Sequence, residues 1–170
     1  MYYISIGTFC YSAHLLQSIG LRTEAYPFDW IFTTENCFQD ALKDNFEKFL
    51  NPIYFTNHKN PRKEIDFNYY KRCINRFLTL LKTNEKIIFI ITKSNQENYF
   101  NFNYLLELHP NSEIIKINII NDNINNIIIN EEEKYITIHH KCDFGGIFFN
   151  DKEFDSYVKK IINNYLQTIK

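Results

Sequence analysis

Cys10 is the side chain in this 170-residue sequence best placed to act as a nucleophile. It follows Gly7-Thr8-Phe9, at the junction between a short apolar run and a segment with helical spacing. A thiol at a helix N-terminus ionises more readily, because the unsatisfied N–H groups and the helix dipole stabilise the thiolate. Gly7 permits a tight turn just before it, and neighbouring N–H groups can form an oxyanion hole. A thiol nucleophile needs a base, and the imidazoles are His14, His58, His109, His139 and His140. His58 lies in a polar stretch between Asn57 and Lys59, whereas His139-His140 ends an apolar run, so one of that pair faces in and the other out. His14 shares a helix face with Cys10 but would have to reach back toward the helix start. Asp29, within Tyr26-Pro27-Phe28-Asp29-Trp30, can orient an imidazole as the third member of a nucleophile–base–orienter set. Trp30 is expected to pack over the first helix, form a wall beside Cys10 and add stability by burial. Lys71, Arg72 and Arg76 share one helix face, so Arg72 joins Gly7 and Trp30 as a candidate substrate-binding residue. Each of these residues also has a plain structural reading, with Cys10 as a small buried side chain, His58 as a surface residue and Asp29 as a cap.

The elements that must position these groups follow from apolar periodicity. Residues 2–6 read as a strand ended by Gly7, and Ala13, Leu15, Leu16 and Ile19 as a helix stopped at Gly20. Pro27 blocks a helix over 22–32. Phe38, Leu42, Phe46, Phe49 and Leu50 give a second helix, with Thr34 as its cap and Pro52 beyond its end. A short strand over 52–55 and a polar loop over 56–63 precede an amphipathic helix over 67–82. The run Ile87-Ile88-Phe89-Ile90-Ile91 is apolar on both faces, as a central strand of a parallel sheet is. Residues 97–108 read as a helix ending before Pro110, and 114–120 as a strand. The tract 121–130 reads as a loop with an edge strand, 135–139 as a last strand, and the spacing from Phe154 to Ile169 as a C-terminal helix. Strands alternate with helices throughout. The expected fold is a single α/β domain over 1–170, a three-layer sandwich with a mainly parallel central sheet flanked by helices. Ligands of such sheets bind outside the carboxyl ends of the strands. That edge collects Gly7 to Cys10, Asn57-His58, Lys93 to Asn95, and His139, His140 and Asp143.

Composition narrows the function classes. The formal net charge is −1, with 19 basic and 20 acidic residues, and the basic ones are scattered, so no nucleic-acid partner is expected. No apolar run is long enough for a membrane span, and the N-terminus lacks the basic and apolar regions of a signal peptide. An intracellular, cytoplasmic protein is expected. Its four cysteines, Cys10, Cys37, Cys73 and Cys142, form no CxxC pair and read as reduced thiols, with Cys37 and Cys73 packed inside helices. His139, His140 and Cys142 have no answering pair, so neither a structural metal nor any other cofactor is expected. The 26 Ile and 22 Asn are in excess and read as drift in an A+T-rich coding sequence, such as that of a viral or parasitic genome.

The stretch Ser5-Ile6-Gly7-Thr8-Phe9-Cys10, then Gly20-Leu21-Arg22, then Tyr26-Pro27-Phe28-Asp29-Trp30-Ile31 resembles the opening of a papain-like cysteine peptidase family, a domain of unknown function in bacteria and large DNA viruses. That opening reads S-L-G-x-x-C, a helix ending G-L-R, then Y-P-F-D-W. The likeness continues through Phe46, Phe49, His58 and Lys71-Arg72 to Arg76-Phe77, and fades into the strand Ile87 to Ile91. The resemblance implies a cysteine-dependent hydrolase with Cys10 as nucleophile, His58 as base and Asp29 as the acid of the P-F-D-W motif. The strand–helix alternation is also similar to SGNH-type esterases, whose nucleophile follows the first strand and whose histidine comes late, which points to His139 or His140. A third reading is a non-catalytic α/β module that binds a glycan or a protein through the Pro27–Trp30 loop. The substrate is a peptide, an ester or an acylated glycan, and the sequence does not choose among them.

Overall fold

A strand that is apolar on both faces must be covered on both, and the run at 87–91 is. The computed structural model describes residues 1–51, 64–94 and 99–169. In it, β2 (Ile87–Ser94) lies between β1 (Tyr2–Gly7) and β3 (Ser112–Asn121), parallel to both, with Ile4 opposite Phe89 and Phe89 opposite Ile114. Ile87 to Ile91 are completely buried. β5 (Tyr135–His140) continues the parallel sheet beyond β3, and β4 (Asn126–Asn130) closes that edge antiparallel to β5. The order is β1-β2-β3-β5-β4, a mixed, mostly parallel five-stranded sheet among the described residues. The Asn/Ile tract thus holds the end of β3, a turn and an edge strand, with Ile127 and Ile129 half-buried and Ile128 exposed.

Side chains of a strand alternate between faces, and β2 accordingly feeds two clusters. Ile87, Phe89 and Ile91 join Ile4, Ile6, Phe28, Phe46 and residues of the helices α2 (Glu35–Lys43), α3 (Glu64–Leu80) and α4 (Asn103–Leu108). Ile88 and Ile90 join Ile115, Ile117, Ile136 and Ile138, with residues of α1 (Tyr11–Ser18) and α5 (Lys152–Thr168). No helix among the described residues is long and apolar enough to cross a membrane.

Several expected boundaries hold. The Thr34 side chain accepts the Cys37 N–H at 3.2 Å, and Gly20, at φ 75°, lets α1 end in a bond from the Leu21 N–H to the Leu16 carbonyl at 2.9 Å. Two helices are shorter than their periodicity suggests. α2 stops at Lys43, where Asn45 and Phe46 take left-handed backbone angles and the Phe46 N–H returns to the Ala41 carbonyl at 2.8 Å. Phe46 and Phe49 remain buried, so a turn delivers the rings that a longer helix was expected to deliver. α4 begins only at Asn103, not at residue 97. The expected strand over 52–55 and polar loop over 56–63, with His58, lie outside the described residues.

The junction after β1 sets the position of everything near Cys10. The loop that follows Pro27 returns against the end of β1, where the Thr33 N–H donates to the Gly7 carbonyl at 2.7 Å. A Cβ at Gly7 would sit 2.7 Å from the carbonyl oxygens of both Phe28 and Ile31, so no larger residue fits without moving backbone. Phe28 pins this loop from the other side. It is fully buried, with ring centroids of Phe38 at 5.2 Å, Phe46 at 5.5 Å and Phe77 at 5.9 Å. Gly7→Ala should therefore destabilise the fold by about 2–3 kcal/mol through overpacking, lowering Tm by roughly 5–10 °C for a domain of this size. Thermal unfolding followed by circular dichroism checks this, and an unchanged Tm would contradict the junction described.

Candidate active site

Cys10 occupies the N-cap position of α1, with helical backbone angles (φ −67°, ψ −11°) and no side-chain capping bond. It is half-buried. The preceding turn is tied across the sheet by the Thr8 hydroxyl, which donates to the Thr92 carbonyl at the end of β2. The four cysteines form no disulfide. Burial, then Asp40 and Asp44, push the Cys37 thiol up to about 11. Burial also raises Cys73, against a hydrogen bond from Tyr69 and the charge of Arg76. Both therefore stay protonated and unreactive at neutral pH, in keeping with their expected packing inside α2 and α3.

Aromatic rings crowd the surface around the head of α1. Phe9 meets Phe32 edge-on at 5.9 Å, and the His14 ring lies 6.4 Å from both Trp30 and Phe148. Burial, reinforced by Lys159 and opposed by Asp155, lowers the His14 pKa, which keeps this imidazole neutral near pH 7. Trp30 does face α1 through His14, but it is 37% exposed, and the fully buried ring of its loop is Phe28. Trp30 also holds φ 60°, a left-handed backbone conformation that bulky residues seldom adopt. An electrostatic chain holds it there. The Arg22 guanidinium lies 5.8 Å over the Trp30 ring, and its Nε donates to Asp29 Oδ2 at 2.9 Å. The same oxygen accepts the Tyr26 N–H at 2.9 Å. Asp29 was expected to orient a histidine; its hydrogen bonds among the described residues come instead from Arg22 and the Tyr26 backbone. A carboxylate this deeply buried needs such partners, and burial still raises its pKa against them.

The histidines divide clearly. His58 lies outside the described residues. His140 is buried on β5, its Nδ1 2.6 Å from the Cys142 carbonyl and its ring 5.1 Å from Phe149 and 6.0 Å from Phe144. Those two phenyl rings in turn pack on Tyr11 at 5.8 and 5.3 Å, so they stand between His140 and the head of α1. His139 points to the other face and pairs with Asp122 at 3.0 Å; the Asn123 N–H first, and then this pairing, lower the Asp122 pKa. Three strand spacings, roughly 14 Å, separate β5 from β1 in the sheet order. His109 ends α4, held by Ser112 and the Thr83 carbonyl. Arg72 is exposed on α3, while Arg76 is taken up by Glu24 and the Ala25 carbonyl.

A pocket of about 390 Å³ opens where β1 and β2 end, bordered by Thr8, Phe9, Phe32, Thr33, Lys93 and Phe100. It lies at the carboxyl edge of the parallel strands, where open α/β sheets bind ligands. Lys93 stood on the sequence-derived edge list, but its burial did not. Its position in step with Phe89 and Ile91, which turns it toward the face that packs on α2, α3 and α4, was the available signal. Thr33 gave no signal, because only the return of the loop to Gly7 brings it there.

The Arg22–Asp29 pair yields a stability prediction. Arg22→Ala leaves the Asp29 carboxylate buried without its cation and should cost about 3 kcal/mol or more. Replacing both residues with apolar ones should cost less than the sum of the single changes. Urea denaturation of the three variants measures this, and additive effects would show that the pair is not coupled.

Residues 1–68 match the family model described as "Putative papain-like cysteine peptidase (DUF1796)". No curated protein and no solved structure matches the chain. The matched stretch holds Gly7, Cys10, Asp29, Trp30 and His58, so the junction at Gly7, the nucleophile candidate and the loop over it all fall within it. Over those residues, under half of the 170-residue chain, the sequence is similar to that family model.

Proposed function

We propose that the protein is a cysteine-dependent hydrolase or acyl transferase with Cys10 as its nucleophile. The observation that carries this reading is the placement of Cys10 at the head of α1, directly after Thr8 and Phe9, which border the pocket at the carboxyl edge of β1 and β2. In the reaction, the Cys10 thiolate adds to a substrate carbonyl carbon, and backbone N–H groups at the start of α1 stabilise the oxyanion. The C–N or C–O bond then breaks, the leaving group takes a proton from the imidazolium, and a thioester remains. Water, or an acceptor in the transferase case, gives its proton to the imidazole, attacks the thioester and releases Cys10.

His58 is the base in this reading, supported by its place within the family match. Asp29 acts by holding Arg22 and Trp30 as one wall, Gly7 by admitting the loop, and Arg72 by attracting an anionic substrate from α3. The fold is read as one three-layer domain, supported by the apolar clusters on the two faces of β2. A cytoplasmic location accords with the reduced thiols this chemistry needs. The substrate is a peptide, an ester or an acylated glycan.

Labelling with iodoacetamide, read by mass spectrometry, tests this. Cys10 should label fastest at neutral pH, well ahead of Cys37 and Cys73, and His58→Ala should slow Cys10 alone. Equal rates at all accessible thiols would overturn the nucleophile. A fall only in His140→Ala would move the base to His140 and favour the esterase-like arrangement.

A further inference from the structure

We infer that the pocket between the ends of β1 and β2 is a recognition site for an oxyanion group, a carboxylate or a phosphate. Two observations carry this together. Lys93 borders the pocket although only 7% of the residue is exposed, and its Nζ lies 5.1 Å from the ring of Phe100, which also borders it, and 5.9 Å from the Tyr99 ring. A cation set among rings and shielded from water acts on an anion far more strongly than a surface lysine does. Thr33, which also borders the pocket, is 4% exposed, and its hydroxyl is buried with no hydrogen-bond partner among the described residues. A buried hydroxyl left unsatisfied is costly, and an oxyanion in the pocket would accept its proton.

The other charged side chain among the described residues that border the pocket is that of Glu35. Glu35 borders the pocket, but it is exposed at the rim and its Oε1 already accepts the Asn101 N–H at 2.9 Å. It would repel a second negative group and is screened by solvent from the first. α2 begins at Glu35, so the positive end of its dipole adds to the same preference. The volume of about 390 Å³ admits a small ligand or one residue of a larger one. Anion binding itself stands without the Cys10 chemistry. Its use as a substrate subsite rests on the proposed hydrolase reading, and implies an acyl substrate with a carboxylate or phosphate close to the scissile carbonyl.

Inorganic phosphate and glutarate, with uncharged glutaramide as the control, can be titrated into the ¹⁵N-labelled protein and followed by amide NMR shifts. Saturable shifts at Thr8, Phe9, Thr33 and Lys93 with an anion but not with glutaramide are expected, and the tighter of the two anions names the oxyanion class. Lys93→Met should weaken binding by at least about tenfold, Thr33→Val severalfold, and Lys93→Arg little. Folding of each variant is read from the same spectra. Shifts scattered over the surface, or binding unchanged in both Lys93→Met and Thr33→Val, would overturn the proposal. Cys10→Ala should bind as wild type does, so a failed labelling experiment removes the hydrolase reading without touching the pocket.

Discussion

The site depends on a single close approach, that of the Phe28 and Ile31 carbonyl oxygens to Gly7. There is no room for a Cβ between them. Because the loop can lie on β1 only at a glycine, the position of Gly7 three residues before Cys10 fixes where the loop crosses relative to the nucleophile candidate. The bond from the Thr33 N–H to the Gly7 carbonyl then places Thr33 on the pocket wall, and Phe28 locks the loop into the helix-covered core. A glycine, a thiol and an aromatic loop that look like separate features of the sequence are one mechanical unit.

Electrostatics finishes what packing begins. Asp29 sits under the loop and draws in Arg22, which lies across the Trp30 ring while Trp30 keeps a left-handed backbone. Strain of this kind persists only where surrounding contacts over-determine it, and it concentrates at functional surfaces. The result is a set of exposed rings, Trp30, Phe32 and Phe148, packed on Phe9 and His14 around the start of α1, with Phe9, Phe32 and the buried Lys93 bordering the pocket.

Much of this architecture was legible in the sequence. β2 was legible because five consecutive apolar residues can be satisfied only by cover on both faces, and the end of α1 at Gly20 and the start of α2 at Thr34 because cap chemistry is local. The length of α2 was not, since Phe46 and Phe49 keep a helical spacing while a left-handed turn carries them into the core. That Phe28 and not Trp30 is the fully buried ring of the loop was hidden for a similar reason: composition marks both as apolar, and only the packing against Gly7 decides which points inward. The partner of Asp29 was hidden because Arg22 is seven residues away, in the irregular stretch after α1, and nothing local announces the pair. His140 was correctly seen as one of an in/out pair, but the Phe144 and Phe149 rings that cover it come from a loop with no periodic signal. His58, which carries the base in the proposed mechanism, rests on the family match to residues 1–68.

The central claim is that Cys10 is a thiolate in the working pH range. The most direct measurement is the ultraviolet thiolate absorbance across pH, taken as wild type minus Cys10→Ala so that the other three cysteines cancel. An ordinary thiol titrates near 8.5. The account predicts a Cys10 midpoint at least about one unit lower, and a midpoint at or above that of an ordinary thiol would contradict it.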